Sequence, residues 1–233
     1  VSPFRARAIH LNAKVAHLRG DLEGAVALYR QVESLFPDAL DARTFLTRTG
    51  LTLREVEAVA VGQTPRLHLT RKNVAQVRLP PYAVDFMILY ALRRDLSQVN
   101  RIDLSGVKPA HEWVVQRRGK EDFRWHEEEV ELPVKEKGVY LVVARGGGLD
   151  ASSVVLVSDL AIDVQEVDGR LRIYATERTT GAPAGEVYVK VGDGRQIMAQ
   201  GFTDARGVFE AGRTGGSFSV VAEKDGNVAL WRR

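Results

Sequence analysis

The chain has 233 residues, 45% of them hydrophobic, enough for one large domain or two to three small ones with real cores. The net charge of +3 is spread thinly (8 basic against 7 acidic residues over 1–62, 15 against 12 over 65–158, 10 against 11 over 159–233), so no segment carries the basic field of a nucleic-acid footprint despite a pI of 9.2. The lack of cysteine excludes disulfides, a cysteine nucleophile and thiolate metal sites within these residues, and the longest apolar run, FMILYAL at 86–92, is far short of the ~20 residues that span a bilayer.

The first segment, FRARAIHLNAKVAHLR at 4–19, is rich in Ala, Leu, Arg and Lys without internal Gly or Pro, which predicts a helix. Gly20-Asp21 breaks it. A second helix follows, with Ala25, Leu28, Tyr29 and Val32 on one face; Leu35 and Phe36 close it with apolar bulk and Pro37 stops it. Residues 39–49 predict a third helix that Gly50 ends at a C-cap position. LTLREVEAVAVG predicts a short helix or turn, and Gly62-Gln63-Thr64-Pro65 a linker, with a rigid helix-to-sheet junction expected near Thr64. The first unit is therefore expected over 1–62.

After Pro65 the period changes to two. RLHLT and AQVRL alternate, and Pro80-Pro81 marks an edge or a bend. YAVDFMILYALRRDL (82–96) fits a strand running into a helix near Asp85, and RIDLSG an extended segment or turn. AHEWVVQRR and EEEVELPV are strand-like. GVYLVVARG and SSVVLVS are apolar on both faces, as central strands are. Short strands about ten residues apart predict a β-sandwich over 65–158. A second, smaller one is predicted over 159–233, from hairpins turning at Asp168-Gly169 and Asp193-Gly194 and about seven strands in all. The expected fold class is multidomain α plus all-β, a short helical segment followed by two antiparallel sandwiches.

Two resemblances attach to these residues. Ala16, Leu18, Gly20-Asp21, Ala25, Tyr29 and Pro37 resemble one tetratricopeptide repeat, and about three such repeats are needed to bury a continuous core. TTGAPAGEVYVKV followed by GFTDARGVFEA is similar to macroglobulin-type and transthyretin-like modules. With RKNVAQVRLPPYAVDFMILYALRRDL, IDLSGVKP, ELPVKEKGVYLVVARGG and SSVVLVSDL before it, residues 64–233 resemble the N-terminal half of large bacterial alpha-2-macroglobulin-like proteins. Arg71-Lys72-Asn73-Val74 stands where that family usually has Tyr-Arg-Asn-Val, and Pro80-Pro81 breaks a strand that elsewhere runs on. The resemblance implies framework for a protease-trapping or cell-envelope protein, periplasmic or extracellular, with protein partners and neither nucleic acid nor membrane insertion in these residues. The thioester cysteine of protease traps is absent and no bait-like segment is visible, and from both ends the chain is expected to be a fragment of something longer.

No catalytic constellation is expected: no catalytic, cofactor-binding or metal-ligating residue, and no cofactor. His126-Glu127-Glu128-Glu129-Val130 opens like a zincin helix but has Val where the second His belongs, so the acidic run is expected to be a solvated strand edge. Gly119-Lys120 lacks the P-loop glycine, since position 114 is Val. Gly146-Gly147-Gly148 is a hairpin connection, and GGSFS is not a nucleophile elbow. His10 and His17 are expected to face solvent. Trp113, Trp125 and Trp231 are expected to pack in cores or edges rather than form a carbohydrate platform. The Asp-Gly pairs at 168, 193 and 225 each offer one carboxylate where calcium needs several oxygens, so they are turns. Two alternatives remain at this level: a repeat-based peptide-binding adaptor with the sandwiches as spacers, and a glycan-binding accessory module of an exported enzyme.

Overall fold

Three helices open the chain: α1 (Pro3–Leu18), α2 (Leu22–Arg30) and α3 (Pro37–Thr47). The structure, a computed structural model, describes residues 2–86, 107–117, 119, 122–193, 196–212 and 216–233. Gly20, at φ +79°, makes the reversal after α1, and the Asp21 carboxylate accepts the Gly24 N–H at 2.9 Å to cap α2. The helices touch through small residues, Ala6, Ala13, Ala25 and Ala39, with Val26, Tyr29, Val32 and Leu46 filling the rest of the core. Pro37 begins α3 rather than ending α2, which stops at Arg30 and is followed by turns. Proline's fixed φ suits a first helical turn, whose N–H groups have no partner anyway.

The expected short helix or turn at 51–62 is instead two strands, β1 (Gly50–Leu53) and β2 (Val56–Val59). Leu51 and Leu53 alternate with Thr52 and Arg54, and Val56 and Ala58 flank Glu57, so each four-residue strand holds a period-two signal with a break in phase between them. Gly50 is accordingly the first residue of β1 and not a helix cap. Its missing side chain leaves room for the Trp125 ring, whose Cη2 would lie 2.1 Å from an added Cβ.

The first sandwich adds β3 (Arg66–Lys72), β4 (Gln76–Arg78), β5 (Pro81–Val84), β6 (Val114–Gln116), β7 (Trp125–Glu131), β8 (Gly138–Gly146) and β9 (Leu149–Val157). One sheet runs β1-β3-β7; the other runs β2-β9-β8-β4-β6, with β5 also paired to β8. β4 and β5 lie end to end on the same edge of β8, so the prolines make a bend between them. β2 joins β9 in parallel, the one parallel pair among the described strands, because the chain changes sheets between Leu53 and Val56. Leu67, Leu69, Val77, Leu79, Leu132 and Val142 centre the core between the sheets.

The second sandwich holds β10 (Leu160–Val167), β11 (Arg170–Glu177), β12 (Tyr188–Gly192), β13 (Ile197–Phe202), β14 (Val208–Ala211), β15 (Ser219–Lys224) and β16 (Asn227–Arg232). Its sheets run β10-β11-β14 and β13-β12-β15-β16 around Leu171, Ile173, Val187, Val189, Val191 and Val220. The predicted turns at Asp168-Gly169 and Asp225-Gly226 are present with all four residues at φ between 50° and 72°. The Asp193-Gly194 turn, the helix expected from Asp85 and the RIDLSG segment lie wholly or partly outside the described residues.

Candidate interaction surfaces

Several polar and ionisable side chains bridge one unit to the next. At the C-terminus of α3 the last carbonyls lack helical partners. They are capped across the chain by the end of β3: Lys72 Nζ donates to Phe45 O at 2.9 Å, and Asn73 Nδ2 to Leu46 O and Arg48 O at 2.8 and 3.0 Å. Asn73 sits at φ +53°, a left-handed conformation that asparagine tolerates. The Lys72 ammonium also lies 4.8 Å from the centre of the Phe45 ring, and burial pushes its pKa below the ordinary lysine value. Beside it Arg71, 3% exposed, pairs with Glu128 at 2.7 Å, and Val74 enters the core. The four residues Arg71-Lys72-Asn73-Val74 thus act as a clamp.

A second contact comes from the loop before β7. Arg124 Nη2 donates to Gly20 O at 2.6 Å, and Phe123 packs on the helical core at φ +59°. Asp122 holds this loop. Its Oδ1 accepts from Arg117 Nη2 at 2.8 Å and from the Arg124 N–H at 3.2 Å, and lies 2.8 Å from His126 Nε2. Desolvation opposes the charged carboxylate, but the bonds from His126, the Arg124 N–H and Arg117 outweigh it and bring the pKa to about 2. The helix-to-sandwich junction therefore lies at Arg48–Gly50, not near Thr64, where the Gly62 N–H is bonded to Lys135 O within the sandwich.

The two sandwiches share a face. Val139, Leu141, Val143, Val154 and Leu156 of β8 and β9 pack against Val221 and Val228 of β15 and β16. The connection between them is pinned on each side. Arg178 donates through Nε to Ser158 O and through Nη2 to Leu160 O, both at 2.9 Å, and burial pushes its pKa below the ordinary arginine value. The Asp159 carboxylate accepts the Val61 N–H, and Asn227 accepts the Asp159 N–H. Arg232 and Glu55 pair across the interface at 2.9 Å.

The residues singled out in the sequence scatter over this frame. Glu127, Glu128, Glu129 and Glu131 lie on β7, the edge of its sheet, with alternate side chains outward. Glu129 pairs with Arg66 and with His68, which also meets Glu57 at 2.6 Å. His68, Glu127, Glu128 and Glu129 line an open groove of about 530 Å³ together with Thr52, Arg54 and Thr70. Among the described residues no three His, Asp or Glu side chains converge as metal ligands would, and no helix is long and apolar enough to cross a membrane. Gly147 and Gly148 form the turn between β8 and β9. Lys120 and Gly215 fall outside the described residues. His10 is buried, stacked on Phe36 and 3.1 Å from Asp38, and His17 is half-buried beside Tyr29. The expectation that both face solvent is corrected, because α1 turns this side onto α2 and α3. The tryptophans serve three different places. Trp113 packs on the first sandwich core, Trp231 lies against Phe218 in the second, and Trp125, 55% exposed, covers Gly50.

The Thr-Asp-x-x-Gly-x-Phe motif is architectural. Thr203 Oγ1 accepts from the Val187 N–H and donates to Ala184 O. Asp204 accepts from the N–H groups of Arg206 and Val208, and the Val208 bond leads the effects that lower its pKa. Gly207, at φ +74°, has Ala175 O where a Cβ would stand, 2.4 Å away. Lys72, Asn73 and Arg178 are the positioning residues that sequence reasoning missed.

No family model matches the chain, and no curated protein sequence matches it. Solved structures do. The native alpha-2-macroglobulin from Escherichia coli spanning domains MG0-NIE-MG1 aligns over 79% of this chain and 64% of that fragment, with 19% identity and a TM-score of 0.60. The same protein spanning domains NIE-MG1 aligns over 79% of this chain and 97% of that fragment, with 17% identity and a TM-score of 0.57. A Salmonella alpha-2-macroglobulin mutant aligns over 78% of this chain and 12% of its own length, with 16% identity and a TM-score of 0.56. The chain has the fold of these bacterial alpha-2-macroglobulin segments, and it spans about two thirds of the first and an eighth of the last.

Proposed function

We propose that this chain is a non-catalytic framework segment of a bacterial alpha-2-macroglobulin-like protein, made of a helical unit, a first sandwich that takes in the strands at 50–59, and a second sandwich from residue 159. Its role is to hold neighbouring parts of a protease-trapping or cell-envelope protein in fixed geometry, in the periplasm or outside the cell, through protein partners alone. The observation that carries the reading is how the polar side chains are used. Lys72, Asn73, Arg124, Arg178 and Arg232 each bridge one unit to the next, within a fold shared with alpha-2-macroglobulin segments. A site for bond-making needs an acid, base or nucleophile turned toward open space with its partners preorganised; here the partners are other elements of the frame. The test is protection of macromolecular substrates, and not of small peptides, from an added protease by the full-length protein. Equal cleavage of both would remove the trapping reading, and hydrolytic activity in the isolated 233-residue chain would remove the non-catalytic one.

A further inference from the structure

One face of α1 is apolar and uncovered. Phe4, Ala8, Leu11, Val15 and Leu18 follow one another at intervals of four, three, four and three residues, and Phe4, Leu11, Val15 and Leu18 are 87, 55, 43 and 88% exposed. This spacing is the alternating a and d positions of two heptads, with Phe4, Leu11 and Leu18 at d and Ala8 and Val15 at a. The opposite side of the helix, through Ala6, His10 and Ala13, is buried on α2 and α3, so α1 is fixed while its seam stays open.

The flanks of the seam decide what fits it. The e and g positions are Arg5, Arg7, Asn12, Lys14 and Arg19, and α1 contains no acidic residue. Lys14 is partly engaged by Asp38 at 2.8 Å, while Arg5, Arg7 and Arg19 have no acidic partner among the described residues. Such flanks repel a second α1 and favour carboxylates facing them. The seam is also narrow, two apolar positions per heptad with charges on both sides. That matches knobs-into-holes packing with another helix better than the broad apolar face of a helix lying in lipid.

We propose that α1 is a docking seam for an amphipathic helix from outside these residues, one with a two-heptad apolar stripe and Glu or Asp along its flanks. The inference is independent of the macroglobulin reading, since it rests on α1 alone.

Two fluorescent three-heptad peptides test it against the intact 233-residue chain. Both carry Leu at a and d; one has Glu at every e and g position, the other Lys. Anisotropy should show saturable binding of the Glu peptide, weaker by about tenfold or more for the Lys peptide, and weakening with added salt. Leu11→Gln, on the exposed seam, should abolish binding with the unfolding midpoint unchanged. The double variant Arg5→Glu, Arg7→Glu should shift preference toward the Lys peptide. Equal affinity for the two peptides, or binding untouched by Leu11→Gln, overturns the proposal. So does wild-type dimerisation in sedimentation that Leu11→Gln abolishes, which would make a second copy the occupant. Binding to phosphatidylglycerol vesicles without binding to the Glu peptide also overturns it and assigns the seam to lipid.

Discussion

Substitution of Asn73 separates the two things that residue does. Its amide makes two hydrogen bonds to carbonyls at the end of α3, Leu46 O in the last turn and Arg48 O just beyond it, and its backbone stands at φ +53°. Each neutral bond contributes about 1 kcal/mol, so losing both costs about 2 kcal/mol. A non-glycine residue without a local side-chain bond pays a further 1–2 kcal/mol, roughly, for left-handed geometry. Asn73→Ala is therefore expected to destabilise by about 3 kcal/mol. Asn73→Gly loses the same bonds but not the conformational fit. Glycine's larger unfolded-state entropy takes back about 0.5–1 kcal/mol, leaving it roughly 0.5–1 kcal/mol better than alanine. Urea unfolding followed by circular dichroism at a helix-sensitive wavelength reads the series, and brief proteolysis checks for new cleavage near Arg48. If Ala and Gly prove equal, or Ala is within about 0.5 kcal/mol of wild type, Asn73 is not the cap described here.

Three further outcomes are expected. Gly207→Ala places a Cβ 2.4 Å from Ala175 O at φ +74°, and should cost roughly 3 kcal/mol or more, whereas Gly169→Ala, in open space at φ +72°, should cost about 1 kcal/mol; thermal unfolding of both variants compares them. Asp122, with a folded pKa of about 2 against the ordinary 3.8, binds fewer protons folded than unfolded between those values. Its stabilisation is present above the ordinary value and lost as pH falls toward about 2. Asp122→Asn should remove that part of the slope in urea midpoints measured between about pH 5 and pH 2.5. Arg178→Ala removes two charge-assisted bonds to Ser158 O and Leu160 O at a half-buried site and should cost about 2–3 kcal/mol, with calorimetry resolving separate transitions for the two sandwiches. A single unshifted transition would show that the shared apolar face alone couples them.

The strands that could be read from the sequence were those whose pattern is local. GVYLVVARG is apolar at every turn because β8 has a core on each face, Tyr140, Val142 and Ala144 toward one and Val139, Leu141 and Val143 toward the other. The Asp168-Gly169 turn announces its own backbone geometry. LTLREVEAV is ambiguous as sequence because four-residue strands give too few periods to tell two from 3.6. Gly50 is ambiguous because glycine answers equally to a left-handed φ or to a neighbour needing space, and Trp125, the neighbour, is 75 residues away by number. The junction clamp was invisible for the same reason. Lys72 and Asn73 look like the polar end of a strand until α3 is known to end against them. No local pattern in Arg71-Lys72-Asn73-Val74 gives its role away, because the carbonyls it caps lie 25 to 27 residues earlier.

The cap on α3 also bears on how the polypeptide matures. The last turn of that helix is finished by donors that leave the ribosome 25 to 27 residues later, on a strand that must itself find a sheet. Until β3 is in place, the newly made helices have a frayed end and a half-built interface, so they should stay pliable and gain order in step with the sandwich. A helical piece severed after Arg48 would keep its own small core but would lose the external donors that set the direction in which it is presented.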